Sequence, residues 1–255
     1  MHNIKGIIFD IDGVLEYQGL VYPGAVNVVR TLRERNFILR FLTNSTLKSR
    51  LSCAEKLWRH GFEAKDDEVF TASYATAIYL KELNPRSIWV MLECEGLDEF
   101  KNFIIDGENP EYLVIGDNRS RFDFSHLNQA LGMLQRGAKL IGMSSELVDS
   151  SMGELELNVG SWVSMLERAA GVQATYIGKP NRFAFELPLR TMELNREQVL
   201  MVGDRVASDV AGAKALGIKC VLIRTGEFRA EELEKFEKPD FILDSVGELL
   251  SLLQS

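Results

Sequence analysis

Cysteine, histidine and long apolar runs are all scarce in this chain. The three cysteines, Cys53, Cys94 and Cys220, lie far apart with no pairing by spacing. Thiols so placed fit a reducing cytosol and give no disulfide framework. The three histidines, His2, His60 and His126, are isolated, and each reads as a surface residue rather than a ligand or base. With no His/Cys cluster, a zinc centre is not expected. No apolar stretch approaches the roughly 20 residues that span a bilayer. The first residues enter a strand at once, without a signal peptide. A cytoplasmic protein with no membrane partner is therefore expected. Positive charge is also in deficit: 29 basic against 37 acidic side chains give a net charge of −8. That argues against nucleic acid or an anionic membrane as partner. A small anionic substrate stays open, because a local basic group reverses the field.

What is present is ordinary globular material, 46% hydrophobic and 26% charged, without repeats or low-complexity segments. At 255 residues the chain holds one large domain or two modest ones. Gly6-Ile7-Ile8-Phe9 is a short apolar run that reads as a buried strand. Asp10-Ile11-Asp12-Gly13 follows it directly. On an extended backbone, residues i and i+2 project to one side, roughly 6–7 Å apart. Two like charges that close repel unless a cation or a proton intervenes. The alternative is a solvated strand end with acidic turn residues, and the rest of the chain decides between them.

A helix follows Pro23-Gly24, with Val26, Val29 and Leu32 at helical spacing, and Asn36 closes it. Phe37 to Leu42 is the next strand, ended by Thr43-Asn44-Ser45-Thr46. Strand, helix, strand in this order is a βαβ unit with parallel pairing. A helix with Leu51, Ala54, Leu57 and Trp58 on one face runs to Gly61. The middle is less regular. Helices are expected over Thr71 to Leu83, Leu127 to Gln135 and Gly160 to Ala170, and strands over Ser87 to Leu92, Tyr112 to Ile115 and Lys139 to Ile141. Residues 144–160 are polar and acidic with no clear period. Elements this numerous imply a domain rather than a loop.

The first pattern returns at Tyr176-Ile177-Gly178-Lys179-Pro180. A helix over Phe183 to Leu194 should be kinked or shortened by Pro188. Val199 to Val202 is a buried strand that ends in Gly203-Asp204, with a helix over Ala207 to Leu216 beyond it. Cys220 to Ile223 and Phe241 to Leu243 are strands, and Val246 to Leu253 is a closing helix.

In an open parallel sheet, ligands gather beyond the carboxyl ends of the strands. Asp10, Asp12, Asp204 and Asp209 are carboxylates directed at that rim. Oxygen-only ligands suit a hard cation such as magnesium. Asp209 reads equally as a helix N-terminal charge, or as a group behind the ligands. Thr43 and Asn44 offer a hydroxyl, an amide and backbone N–H groups at a strand-to-helix turn, which suits a phosphate or plain helix capping. Lys179 would supply the cation that lets a carboxylate approach a phosphate dianion. Together these parts describe phosphoryl transfer, with one carboxylate attacking phosphorus and a second moving protons.

With these residues placed, the chain resembles the haloacid dehalogenase superfamily. The motifs that carry the resemblance are Asp10-Ile11-Asp12-Gly13-Val14-Leu15, Thr43-Asn44, Lys179-Pro180 and Gly203-Asp204-Arg205 through Asp209. The insertion between the second and third motifs, with Phe70 to Tyr74 and Arg224-Thr225-Gly226, resembles the NagD-like, p-nitrophenyl phosphatase-like branch. That resemblance implies an α/β fold: a Rossmann-like, doubly wound parallel core sheet of residues 1–73 and 178–255, with an inserted α/β cap of residues 74–177. It implies Asp10 as nucleophile and Asp12 as general acid and base. It implies Mg2+ held by Asp10, the Asp12 carbonyl and Asp204, with Asp209 behind them, and a phosphoryl group bound by Thr43, Asn44 and Lys179. An acid at Asp12 favours a phosphatase over a dehalogenase. Departures at Ser208, at Gly142 to Glu146 and at Trp89, Met91, Glu93 and Glu95 leave the leaving group unspecified.

The expected activity is hydrolysis of a small soluble phosphate monoester. A phosphomutase and a non-catalytic protein that binds a phosphate ligand are the alternatives. A homodimer through the cap fits the resemblance, although Trp89, Leu92 and Met133 read better as cap core.

Overall fold

The protein is described by a computed structural model covering residues 1, 3–120, 122–150 and 153–254. His2 lies outside the described residues. The chain opens with β1 (Gly6–Phe9), whose residues are all buried. A small hairpin, β2 (Glu16–Tyr17) and β3 (Leu20–Val21), comes next, followed by α1 (Ala25–Glu34) and β4 (Ile38–Leu42). Then come α2 (Arg50–Arg59), β5 (Val69–Phe70) and α3 (Ala72–Leu83). Ser49 caps α2 by accepting the Ser52 N–H, and Thr71 caps α3 by accepting that of Tyr74.

The middle of the chain contributes β6 (Ile88–Met91), β7 (Tyr112–Ile115), α4 (Phe124–Gln135) and β8 (Lys139–Gly142). A second hairpin, β9 (Val148–Asp149) and β10 (Glu156–Leu157), lies in the stretch where no period is visible. After it come α5 (Val159–Ala170) and β11 (Thr175–Tyr176). The last part is α6 (Arg182–Met192), β12 (Val199–Gly203), α7 (Ala211–Ala215), β13 (Lys219–Ile223), β14 (Phe241–Leu243) and α8 (Leu249–Gln254). Pro188 does not end α6, which runs on to Met192 and stops at Glu193 in the left-handed region. The helix expected from Ala207 starts instead as a wide π turn, Val206–Val210.

Six parallel strands form one sheet in the order β14-β13-β12-β1-β4-β5. Alternation in β1 sends Ile7 and Phe9 to one face, where they meet α1, α2 and α8 residues such as Leu32, Leu57 and Leu249. Ile8 points to the other face, toward Phe185 of α6 and Ala213 of α7. Helices thus cover both faces, which is why the strands read as continuous apolar runs. Fully burying each such side chain is worth ~1.5–3 kcal/mol.

A four-stranded sheet, β11-β8-β7-β6, forms the cap. Leu113, Ile115 and Leu140 on one face pack with α4 and α5 residues such as Met133 and Val163. Val114 and Ile141 on the other face join the apolar cluster that includes Leu80 of α3 and Phe185. One apolar cluster therefore runs from the core sheet to the cap sheet. Met133 is buried with Trp89 packed against its cluster on one face of the cap sheet, and Leu92 is buried in the cluster on the other. Among the described residues no helix is long and apolar enough to cross a membrane.

Candidate active site

The site stands where three neighbouring strands stop. Phe9 of β1 pairs with Val202 of β12 and with Phe41 of β4. The residues just beyond them therefore emerge side by side: Asp10, Asp204, and Thr43 with Asn44. The ladder continues to the rim, since the Asp10 N–H donates to the Val202 carbonyl at 2.8 Å.

Lys179 arrives from the segment after β11 and is almost wholly buried. Its ammonium lies 2.8 Å from Asp10 Oδ1 and 2.7 Å from Asp209 Oδ1. Burial alone would lower its pKa, but Asp10 and Asp209 outweigh that and hold it above the usual lysine range. The Ile11 N–H also donates to Asp10 Oδ1, at 2.8 Å. Asp209 folds back over Gly203, where a Cβ would lie 2.3 Å from the Asp209 Cβ. Its Oδ2 accepts the Arg205 N–H at 3.1 Å.

Asp10, Asp204 and Asp209 each bring an oxygen within 4.8 Å of the others. Like charges this close repel by roughly 3 kcal/mol or more per pair at an effective dielectric near 20. Burial, then Asp209, lifts the carboxyl of Asp10 well above its ordinary value against the pull of Lys179. Burial and Asp209 do the same to Asp204. Asp204 Oδ2 accepts the Glu227 N–H at 2.7 Å. Its Oδ1 is buried and, among the described residues, has no hydrogen-bond partner. An orphaned oxygen among all-oxygen donors fits a hard divalent cation. Glycines make room for this carboxylate: a Cβ on Gly13 (φ +86°) would lie 2.0 Å from Asp204 Oδ2, and one on Gly226 (φ +57°) 2.3 Å.

Asp12 stands at the mouth of the cleft. Its Oδ2 accepts the Thr43 hydroxyl at 3.3 Å, and Thr43 Oγ1 accepts the Ser45 N–H at 3.0 Å. Desolvation by its crowded surroundings raises the Asp12 pKa, against Lys56, Lys179 and the Thr43 hydroxyl. The Asn44 side chain is committed to protein partners. Its Oδ1 accepts the Lys179 N–H at 2.7 Å, and its Nδ2 donates to the Lys179 carbonyl at 3.0 Å and to Glu146 at 3.1 Å. The amide thus holds the lysine's backbone in place, a role that residue type alone does not disclose.

The cleft enclosed here measures about 150 Å3 and reaches Asp117, Asp149 and Asn158 on the cap side. The motifs alone miss two groups beside it. Arg205 Nη1 lies 3.1 Å from both Glu146 of the cap and Glu227 of the core. Glu227 Oε1 in turn accepts the N–H and hydroxyl of cap residue Ser150, at 2.9 and 2.6 Å. Behind Asp12, the carboxylate of Glu16 is buried between Lys56 and His60. His60 is therefore not the isolated surface residue expected, because its half-buried ring meets the buried carboxylate of Glu16. His126 does lie at the surface, against Asp123.

Sequence and structure comparisons agree with this geometry. A family profile described as "Haloacid dehalogenase-like hydrolase" matches residues 7–105, and a HAD-hydrolase-like profile matches residues 176–249. The human haloacid dehalogenase-like hydrolase domain-containing protein 2 is 31% identical over 94% of this chain and 91% of its own length. The human phospholysine phosphohistidine inorganic pyrophosphate phosphatase is 31% identical over 98% of this chain and 94% of its own. The solved 4-nitrophenylphosphatase of Thermotoga maritima superimposes with a TM-score of 0.92 at 29% identity, covering 99% of this chain and 98% of that one. The chain belongs to the haloacid dehalogenase-like hydrolases, and it shares the fold of a p-nitrophenyl phosphatase among them.

Proposed function

We propose that this protein is a magnesium-dependent phosphatase that hydrolyses a small phosphate monoester through an aspartyl-phosphate on Asp10. The observation that carries this reading is the Lys179 ammonium at 2.8 Å from Asp10, beside the orphaned buried oxygen of Asp204. Asp10, the main-chain carbonyl of Asp12 and Asp204 would hold the cation, with Asp209 behind them tying Lys179 into place. When bound, the cation neutralises phosphoryl oxygens and the acids around them.

The chain's own groups do the rest. Two donors on Oδ1 fix the carboxylate of Asp10, and the carboxylate attacks phosphorus. Lys179, the Thr43 hydroxyl and the Asn44 main-chain N–H orient the phosphoryl oxygens. Asp12 in its acid form gives its proton to the departing oxygen. The resulting carboxylate then takes a proton from water, whose oxygen attacks phosphorus, releases phosphate and restores Asp10. The raised pKa of Asp12 suits the first of these duties. The cap covers the cleft and excludes competing water.

Asp10→Asn should abolish turnover of p-nitrophenyl phosphate in magnesium while leaving the circular dichroism spectrum unchanged. Undiminished turnover in that variant would end the proposal. A panel of phosphate esters with and without magnesium should release free phosphate only with the metal. Transfer of phosphate within a sugar without its release would move the reading to a mutase.

A further inference from the structure

The Asp12 side chain is 43% exposed, so burial alone does not fix its carboxyl. One contact is the Thr43 hydroxyl on Oδ2. The other is the Lys56 ammonium, 3.8 Å from Oδ1. Lys56 comes from α2, outside every motif that marks the site. Its second partner is Glu16, whose side chain is 1% exposed. His60, the residue that closes α2 four positions after Lys56, meets the other oxygen of Glu16. The main chain of Glu16 also closes the turn that carries Asp12. Its carbonyl accepts the Gly13 N–H at 2.7 Å, and its N–H donates to the Ile11 carbonyl at 3.2 Å. One residue therefore shapes the turn under Asp12 and anchors the cation beside it.

We propose that Lys56, anchored by Glu16 and His60, is a positioning residue for Asp12. It holds the carboxyl in the orientation that meets the leaving-group oxygen. The inference rests on the reading of Asp12 as the proton donor. Its consequence depends on the substrate. A weakly basic phenol departs with little protonation, whereas a more basic one needs a well-aimed acid. Loss of Lys56 is then felt in proportion to leaving-group basicity. An ion pair that only supported the fold would lower all substrates alike.

The test measures kcat/KM in magnesium on p-nitrophenyl phosphate and 4-methylphenyl phosphate, esters of similar size with leaving groups of different basicity. It compares wild type, Lys56→Gln, Lys56→Arg and Asp12→Asn. The ratio kcat/KM covers steps up to departure of the phenol, so the later attack by water does not enter. Lys56→Gln should lose about tenfold or more on the methylphenyl ester and less than about threefold on the nitrophenyl ester. Lys56→Arg keeps the charge and should restore most of the loss. Equal losses on both esters, or no loss on either, overturn the inference. Asp12→Asn should show the same dependence more steeply. If its loss is independent of the leaving group, the reading of Asp12 fails and this inference goes with it. A steep dependence in Asp12→Asn with a flat one in Lys56→Gln defeats the inference alone. Should Lys56→Gln fail to fold, Glu16→Gln releases the anchor at constant volume. It should give the same dependence at smaller size, and a flat response there also overturns the inference.

Discussion

Lys179 and Arg205 are both cations gripped by two carboxylates, yet their surroundings assign them different work. Lys179 grips Asp10 and Asp209 at 2.8 and 2.7 Å with 2% of its side chain exposed. Arg205 grips Glu146 and Glu227, both at 3.1 Å, with 15% exposed. Both partners of Lys179 belong to the rim of the core sheet. The partners of Arg205 meet at one of its nitrogens but come from different parts of the chain, Glu146 following cap strand β8 and Glu227 following core strand β13. Charges sealed from water interact strongly and cost much to unpair, while wetter ones are screened. In the proposed mechanism the first grip bears on the reacting atoms, while the second ties the cap to the core.

The sharpest way to break this contrast is Lys179→Met. It leaves two buried carboxylates without their cation, a cost of about 3–5 kcal/mol in the metal-free protein. Urea unfolding measures that loss. Turnover of p-nitrophenyl phosphate should fall on the order of 10²–10³-fold, the usual effect of removing one preorganised donor. A variant close to wild type in both respects would remove Lys179 from the chemistry.

Metal and pH probe the same rim with a smaller effect. Asp10 and Asp204 have pKa values raised by burial and by Asp209. Such groups take up protons on folding. Their contribution to stability is complete below the unfolded value of 3.8 and is lost as pH rises through the raised folded values. The metal-free protein should therefore lose Tm as pH rises above that unfolded value. Magnesium competes with those protons, so its stabilisation should be larger at neutral pH than near pH ~5. At about 100 times its Kd a ligand adds about 2.7 kcal/mol. Asp204→Asn should erase most of that gain in a thermal melt. No rise in Tm with magnesium at any pH would count against the cation site.

The same contrast governs what the sequence discloses. Gly6 to Phe9 and Val199 to Val202 are unbroken apolar runs because helices cover both faces of the sheet, so the core strands and the rim acids beyond them are readable. The hairpins β2–β3 and β9–β10 have only two-residue strands, too short to display an alternation. The grip of Arg205 is invisible for a related reason, since Glu146, Ser150 and Glu227 meet only in space. His60 reads as isolated because its partner Glu16 is 44 residues away. Asn44 reads as a phosphate donor by type, whereas its amide is spent on the backbone of Lys179. The π turn at Val206–Val210 escapes notice because five residues are too few to separate a wider period from the α-helical one.

Arg205→Met should have the smallest effect. Its partners are partly buried, so a stability loss of about 1–2 kcal/mol is expected, between an exposed pair and a sealed one. The Arg205 N–H to Asp209 survives the change, so the rim acids keep their geometry. KM should rise roughly 3–10-fold with kcat little altered, the pattern of weakened closure over substrate. Ser150→Ala should do less still, because it removes the hydroxyl from Glu227 and leaves the N–H. Glu227 offers one physical route by which the second grip could reach the chemistry, since its own N–H bonds to Asp204 Oδ2 at 2.7 Å. Glu227→Gln separates the two. It keeps that N–H while removing the charge that meets Arg205, so kcat should hold as KM rises. A fall in kcat as deep as that of Lys179→Met would mean that both grips belong to one catalytic network.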